Sequence, residues 1–199
     1  MPKRYNLKKY KNEAEEEEEV EEIAEIKVID NHIYFYSDIS SQSILNLTEI
    51  IKNETKKLLH MNISYDLDLE LNLHINSEGG EVFAVLSILH LLLNNKITIN
   101  TIIEGQACSA ATLLAMIGKK RSITEHSYML IHNLSSGFWG KMHEFEDEMK
   151  NLTLLTRDIK NLYKKHTNIT QKQLDMLLKK DLLLTAKTCF NYGFVDEII

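Results

Sequence analysis

The chain has 199 residues, 44% hydrophobic and 26% charged, a globular balance that excludes a wholly disordered protein and supplies one substantial core. Its formal charge is −6, with no basic stripe in the body of the chain, which argues against nucleic acid as the main partner. No apolar run reaches the ~18 residues of a membrane span, and two cysteines, Cys108 and Cys189, are too few for a disulfide framework.

The start of the chain is polar and lacks the apolar stretch of a secretory signal, so a cytoplasmic setting is expected, or an equivalent one such as a plastid stroma or an infected host cytoplasm. Residues 1–25 place five basic side chains ahead of nine acidic ones, the latter between Glu13 and Glu25. They read as a charged, flexible arm; an arm that docks a partner is the sharper alternative. One domain is expected over 26–199.

Residues 26–36 read as two short strands around Asp30-Asn31-His32. Ile44, Leu47, Ile51 and Leu58 recur near helical spacing and predict a helix over 40–60, with serines to cap its start. Near-perfect alternation predicts a strand over 67–76. A helix apolar on most sides follows over 81–94, then a β-branched strand over 97–103 and a small-residue helix over 107–117, closed by Gly118. Short strands are predicted at 121–124 and 128–132. A long amphipathic helix covers 141–166, with Phe145, Met149, Leu152, Ile159 and Leu162 on one face. A shorter helix spans 171–178, and another begins near Thr185. Strands alternating with helices in this order predict parallel pairing and an α/β fold.

Three local features carry chemistry. Asn76-Ser77-Glu78-Gly79-Gly80 joins a strand to a helix, where paired glycines let a ligand approach the backbone and leave N–H groups free; a tight turn needing positive φ explains the same residues. Gly105 to Ala111 again runs from strand into helix, and Ser109 among alanines suits a nucleophile, with the next N–H facing an oxyanion. An N-cap serine is the plainer reading, and Cys108 is a rival nucleophile that should face away. The flanks are not those of the G-x-S-x-G elbow. His132, closing the apolar strand from Tyr128, suits a general base or a satisfied half-buried side chain. None of the eight histidines stands in an H-E-x-x-H arrangement, so no metal is expected.

Taken together, INSEGGEVFAVLSI, EGQACSAATLLAMIG, YMLIHNLSSG, GFWGKMHEFEDEMKNL and the C-terminal KKHTNITQKQLDMLLKKDLLLTAKTCFNYGFVDEI resemble the proteolytic subunit of the Clp protease family, over about 30–199. The resemblance implies a crotonase-like ββα superhelical head with a protruding helical handle, at about 133–168. It implies Ser109 as nucleophile, His132 as base and Asp181 as the third member; Asp175 and Asp158 compete on residue type, and only the resemblance selects between them. Gly80 and Ala110 would form the oxyanion hole, and Gly137, Phe138 and Trp139 would belong to a strand beside the substrate. The resemblance departs at Ala110, where the family carries methionine, and at the N-terminus, where it carries pore-lining loops.

The implied activity is ATP-dependent serine endopeptidase cleavage of unfolded polypeptides inside a homo-oligomer of two stacked heptameric rings, a tetradecamer. An AAA+ unfoldase is the implied partner and alone would use ATP; the subunit itself needs no cofactor. The alternatives are a non-catalytic ring or scaffold subunit, a crotonase-type enzyme acting on acyl thioesters, and a viral capsid-maturation protease of the same fold.

Overall fold

A computed structural model describes residues 26–199; the charged arm predicted for 1–25 lies outside the described residues. β1 (Lys27–Ile29) and β2 (His32–Phe35) form the expected hairpin, antiparallel through Ile29↔His32. Its two-residue turn places Asp30 at φ 55°, a conformation that short aspartate tolerates. α1 (Ser41–Tyr65) opens on a reciprocal cap, in which Ser43 N donates to Ser40 Oγ at 3.1 Å and Ser40 N to Ser43 Oγ at 2.9 Å.

The helix runs five residues past its predicted end and stops where Asp66 turns left-handed at φ 52°. The Asn62 amide then holds both backbone groups of Leu69, at 2.9 and 3.2 Å. Residues 67–70 are spent on that connection, and the alternating strand, β3 (Leu71–Ser77), begins later than its pattern suggested.

α2 (Val82–Leu93) matches expectation. β4 (Ile99–Cys108) does not, for it continues through the glycine at 105 to the residue before Ser109, and α3 (Ala110–Ala115) starts only there. The extension exists because both edges of β4 are occupied. β3 lies along one side, while the other side is taken first by β5 (Arg121–Ile123) and then by β6 (Tyr128–Leu130).

α4 (Met142–His166) and α5 (Gln171–Leu177) lead to β7 (Leu183–Thr185), α6 (Ala186–Asn191) and β8 (Glu197–Ile198). β7 and β8 were not predicted; at three and two residues they carry no readable alternation. The eight-stranded sheet runs β1-β2-β3-β4-β5-β8, with β6 joining β4 and β7 joining β6. All pairs are parallel except β1 with β2 and β6 with β7. Leu47, Ile51, Leu73, Ile75, Val85, Ala111 and Leu114, from both sheet and helices, are fully buried.

α4 leaves this core. Only Ile159 and Tyr163, near its C-terminal end, are buried, whereas Phe145, Met149 and Leu154 stay exposed. Before it, the resemblance implies a strand beside the substrate at 135–140; that segment pairs with no strand among the described residues. Phe138 there packs edge-on against Phe145 at 4.9 Å, and Trp139 is 97% exposed.

Arg121 ties the far end of the fold together. Its guanidinium meets Asp196 at 2.5 and 3.0 Å and donates to the carbonyls of His166 and Gly193 at 2.5 and 3.0 Å. That hydrogen-bonded cation holds the Asp196 carboxyl below its ordinary value. A depressed carboxylate stabilises the fold above its unfolded pKa, and the contribution is lost as pH falls through the folded one. Unfolding by acid is therefore expected to steepen below about pH 4, and Arg121→Ala should flatten that dependence. At neutral pH the variant should lose about 1–3 kcal/mol, because two carbonyls lose their donor. Urea midpoints between pH 3 and 7 measure both; an unchanged acid slope would remove Asp196 as its source.

Candidate active site

Ser109 stands at the junction of β4 and α3. Its backbone is held at φ 52°, ψ −123°, a strained conformation for a residue with a side chain. Two anchors impose it: Ser109 N donates to Leu130 O at 2.8 Å, and the Ser109 carbonyl accepts from Thr112 N at 3.0 Å. The Thr112 hydroxyl in turn contacts the Tyr163 hydroxyl, locking α3 to α4. The sequence lacks the nucleophile-elbow motif, yet the backbone makes a sharp strand-to-helix turn with a half-exposed serine at its apex.

Cys108 is the weaker nucleophile. It is buried, its thiol lies 3.5 Å from Gln106 Oε1, and burial, followed by the charge of Glu78, pushes its pKa up. A thiol kept protonated in that way is inert.

His132 lies two residues beyond β6, and Asp181 two residues before β7. The two strands pair antiparallel with Leu130 opposite Leu183, and the same register carried two residues further sets His132 opposite Asp181. Their side chains meet there, His132 Nδ1 to Asp181 Oδ1 at 3.3 Å. Asn133 N, donating to Leu178 O at 3.1 Å, fixes the adjoining loop.

The competing carboxylates are engaged elsewhere. Asp175 pairs with Lys160 at 2.8 Å and Asp158 lies 3.4 Å from Arg157. β6 is also the parallel neighbour of β4, with Cys108 opposite Leu130, so Ser109 and His132 emerge at the same end of adjacent strands.

The glycine pair closes the site. A Cβ added to Gly79 would stand 2.5 Å from Cys108 O, 2.8 Å from Ser109 Cβ and 3.2 Å from Ala110 N, so no other residue allows this approach. Gly79 O accepts from Ile39 N at 2.7 Å, and Glu81 N donates to Ile39 O at 2.8 Å. The peptide between Gly79 and Gly80 is trans, so Gly80 N–H points away from Ile39, toward the side where β4 ends. Gly80 and Ala110 thus present main-chain N–H groups at the border of the Ser109 turn.

Two other features lie apart from this arrangement. His74 on β3 is buried between His32, at 2.8 Å, and Glu104, at 2.9 Å, and stacks on Tyr34 at 4.4 Å. The Tyr36 phenol, also bonded to Glu104, is pushed up to about 12 by burial and then by that carboxylate. An apolar groove of about 510 Å³, lined by Phe83, Leu86, Leu152 and Leu155, lies between α2 and α4. What residue types alone did not reveal is β7, the strand that delivers Asp181; its only sequence signal is the apolar run after that aspartate.

Comparison with known proteins gives two findings. A family model described as Clp protease matches residues 27–199. A relative named as the ATP-dependent Clp protease proteolytic subunit of Deinococcus radiodurans is 31% identical over 138 residues, 68% of each chain.

Proposed function

Because the chain belongs to the Clp protease family, with its crotonase-like α/β fold, we propose that it is a serine endopeptidase subunit working through Ser109, His132 and Asp181. The observation that carries this reading is the His132–Asp181 pair at 3.3 Å, formed at the strand ends where the strained Ser109 turn emerges.

Ser109 Oγ attacks the scissile carbonyl while His132 takes its proton, and the C–N bond breaks as His132 returns that proton to the leaving amine. Water then cleaves the acyl-enzyme by the same path. Asp181 holds the imidazole in the tautomer that leaves its far nitrogen free to accept. The N–H groups of Gly80 and Ala110 receive the developing oxyanion, and being fixed backbone they need no reorganisation. The backbone of Gly137, Phe138 and Trp139, unpaired among the described residues, suits capture of an extended peptide by strand addition.

Assembly into two stacked heptameric rings, a partner AAA+ unfoldase that alone consumes ATP, and a cytoplasmic setting belong to the same proposal. The apolar side chains that α4 leaves exposed, Phe145, Met149 and Leu154, support a handle that is buried only on assembly.

A fluorophosphonate, followed by intact-mass measurement and adduct mapping, tests the chemistry. One adduct per subunit at Ser109 is expected, and Asp181→Asn should slow its formation by about a hundredfold or more. Absence of any adduct in assembled protein would leave the non-catalytic ring subunit as the reading.

A further inference from the structure

The glycine turn beside Ser109 is flanked by two glutamates with opposite circumstances. Glu81 is committed to the fold: its carboxylate accepts from Ser41 Oγ at 2.7 Å and from Ser41 N at 3.2 Å, at the start of α1. Glu78 is exposed, and among the described residues its carboxylate has one hydrogen bond, a long one accepted from Gln106 Nε2 at 3.4 Å.

The turn does not need Glu78. Gly79 N donates to Ser77 Oγ at 3.1 Å, and the bridge to Ile39 holds the rest. Among the described residues no lysine, arginine or histidine pairs with Glu78, whereas the Asp181 charge faces His132. An uncommitted carboxylate therefore sits one residue from Gly79, which packs directly on Ser109 and Ala110. Its charge already reaches the residue before the nucleophile, since it is the second cause, after burial, of the raised Cys108 pKa.

We propose that Glu78 is a specificity-determining residue, favouring peptides that carry lysine or arginine beside the scissile bond and disfavouring those that carry aspartate or glutamate there. The inference deepens the peptidase reading and rests on it. A peptide carbonyl attacked by Ser109 has its neighbouring residues about 3.3 Å apart along an extended chain. A long cationic side chain on one of those residues spans the single residue between the Ser109 contact and Glu78. The weak Gln106 bond is readily exchanged for a charge-assisted one.

An exposed pair of this kind changes a rate by about two- to fivefold, so attraction of lysine and repulsion of glutamate together separate the two by about four- to twenty-five-fold. The ratio also falls with salt, because the charges are reached by solvent.

The test uses full-length assembled protein and three fluorogenic peptides identical except for Lys, Gln or Glu at the positions flanking the cleaved bond. The readout is the ratio of kcat/KM values, at low and at high salt. The wild type is expected to rank Lys above Gln above Glu, with the spread shrinking in salt. Glu78→Asp should keep the order, Glu78→Gln should bring the ratios toward one, and Glu78→Lys should invert them. A rank order unchanged in Glu78→Gln, or equal rates for the three peptides in the wild type, overturns the assignment while leaving the peptidase intact. Failure of all three peptides together with absence of a Ser109 adduct overturns the peptidase reading, and the inference with it.

Discussion

Ser109→Ala is expected to reduce peptide cleavage by at least about a thousandfold, because no attacking atom remains while the oxyanion donors and substrate contacts stay in place. Folding should survive the change. Among the described residues the serine hydroxyl makes no hydrogen bond that holds another element, and the anchors of the turn are its backbone N–H and carbonyl. Alanine meets the same penalty at φ 52° as serine does, both being L-residues with a Cβ.

The variant should therefore match the wild type in native mass and thermal midpoint, and differ in turnover. Peptide hydrolysis at a level near wild type would remove Ser109 as nucleophile. Cys108 is then the residue to replace, although its burial and raised pKa make it a poor substitute.

Most of the head was legible in the chain because its elements follow from local pattern. The alternation of Leu71, Leu73 and Ile75, the apolar run of α2 and the capping serines of α1 each report a local physical cause, and each element formed. The departures arise where pairing is long-range. Gly105-Gln106 reads as a break, since glycine favours turns, and Ala107-Cys108 as the start of a small-residue helix; all four are strand. They pair because β3 and β6 supply ladders on both edges, which no pattern inside the segment records.

The same physics hid β7, whose three residues gain strand character only by lying against β6. Without β7, Asp158, Asp175 and Asp181 are equivalent carboxylates in the sequence; the register of one short ladder brings Asp181 to His132 and leaves the others to Lys160 and Arg157. Residues 135–140 show the reverse case, a segment whose expected strand has no neighbour to pair with among the described residues. The exposed apolar face of α4 was visible as amphipathicity, but its partner is not within the described chain.

The strongest test of the glycine turn is Gly79→Ala, expected to cost both stability and nearly all activity. Two penalties combine. At φ +101° the backbone occupies a region that residues with a Cβ rarely adopt, and the added methyl would meet Cys108 O at 2.5 Å and Ser109 Cβ at 2.8 Å. Neither neighbour can yield cheaply. Cys108 O belongs to the end of a strand paired on both sides, and Ser109 is fixed by its bonds to Leu130 and Thr112.

Relief must come from moving the 79–80 peptide outward, which draws Gly80 N–H away from the Ser109 turn. The loss of one oxyanion donor alone costs about 10²–10³ in kcat, and strain with steric overlap adds about 1–3 kcal/mol of destabilisation. The distinguishing measurement pairs thermal midpoint with fluorophosphonate labelling rate. A variant that melts a few degrees lower yet labels Ser109 at the wild-type rate would show that the glycine serves the fold alone. A folded variant that labels slowly would tie the Gly79–Ser109 contact to the chemistry.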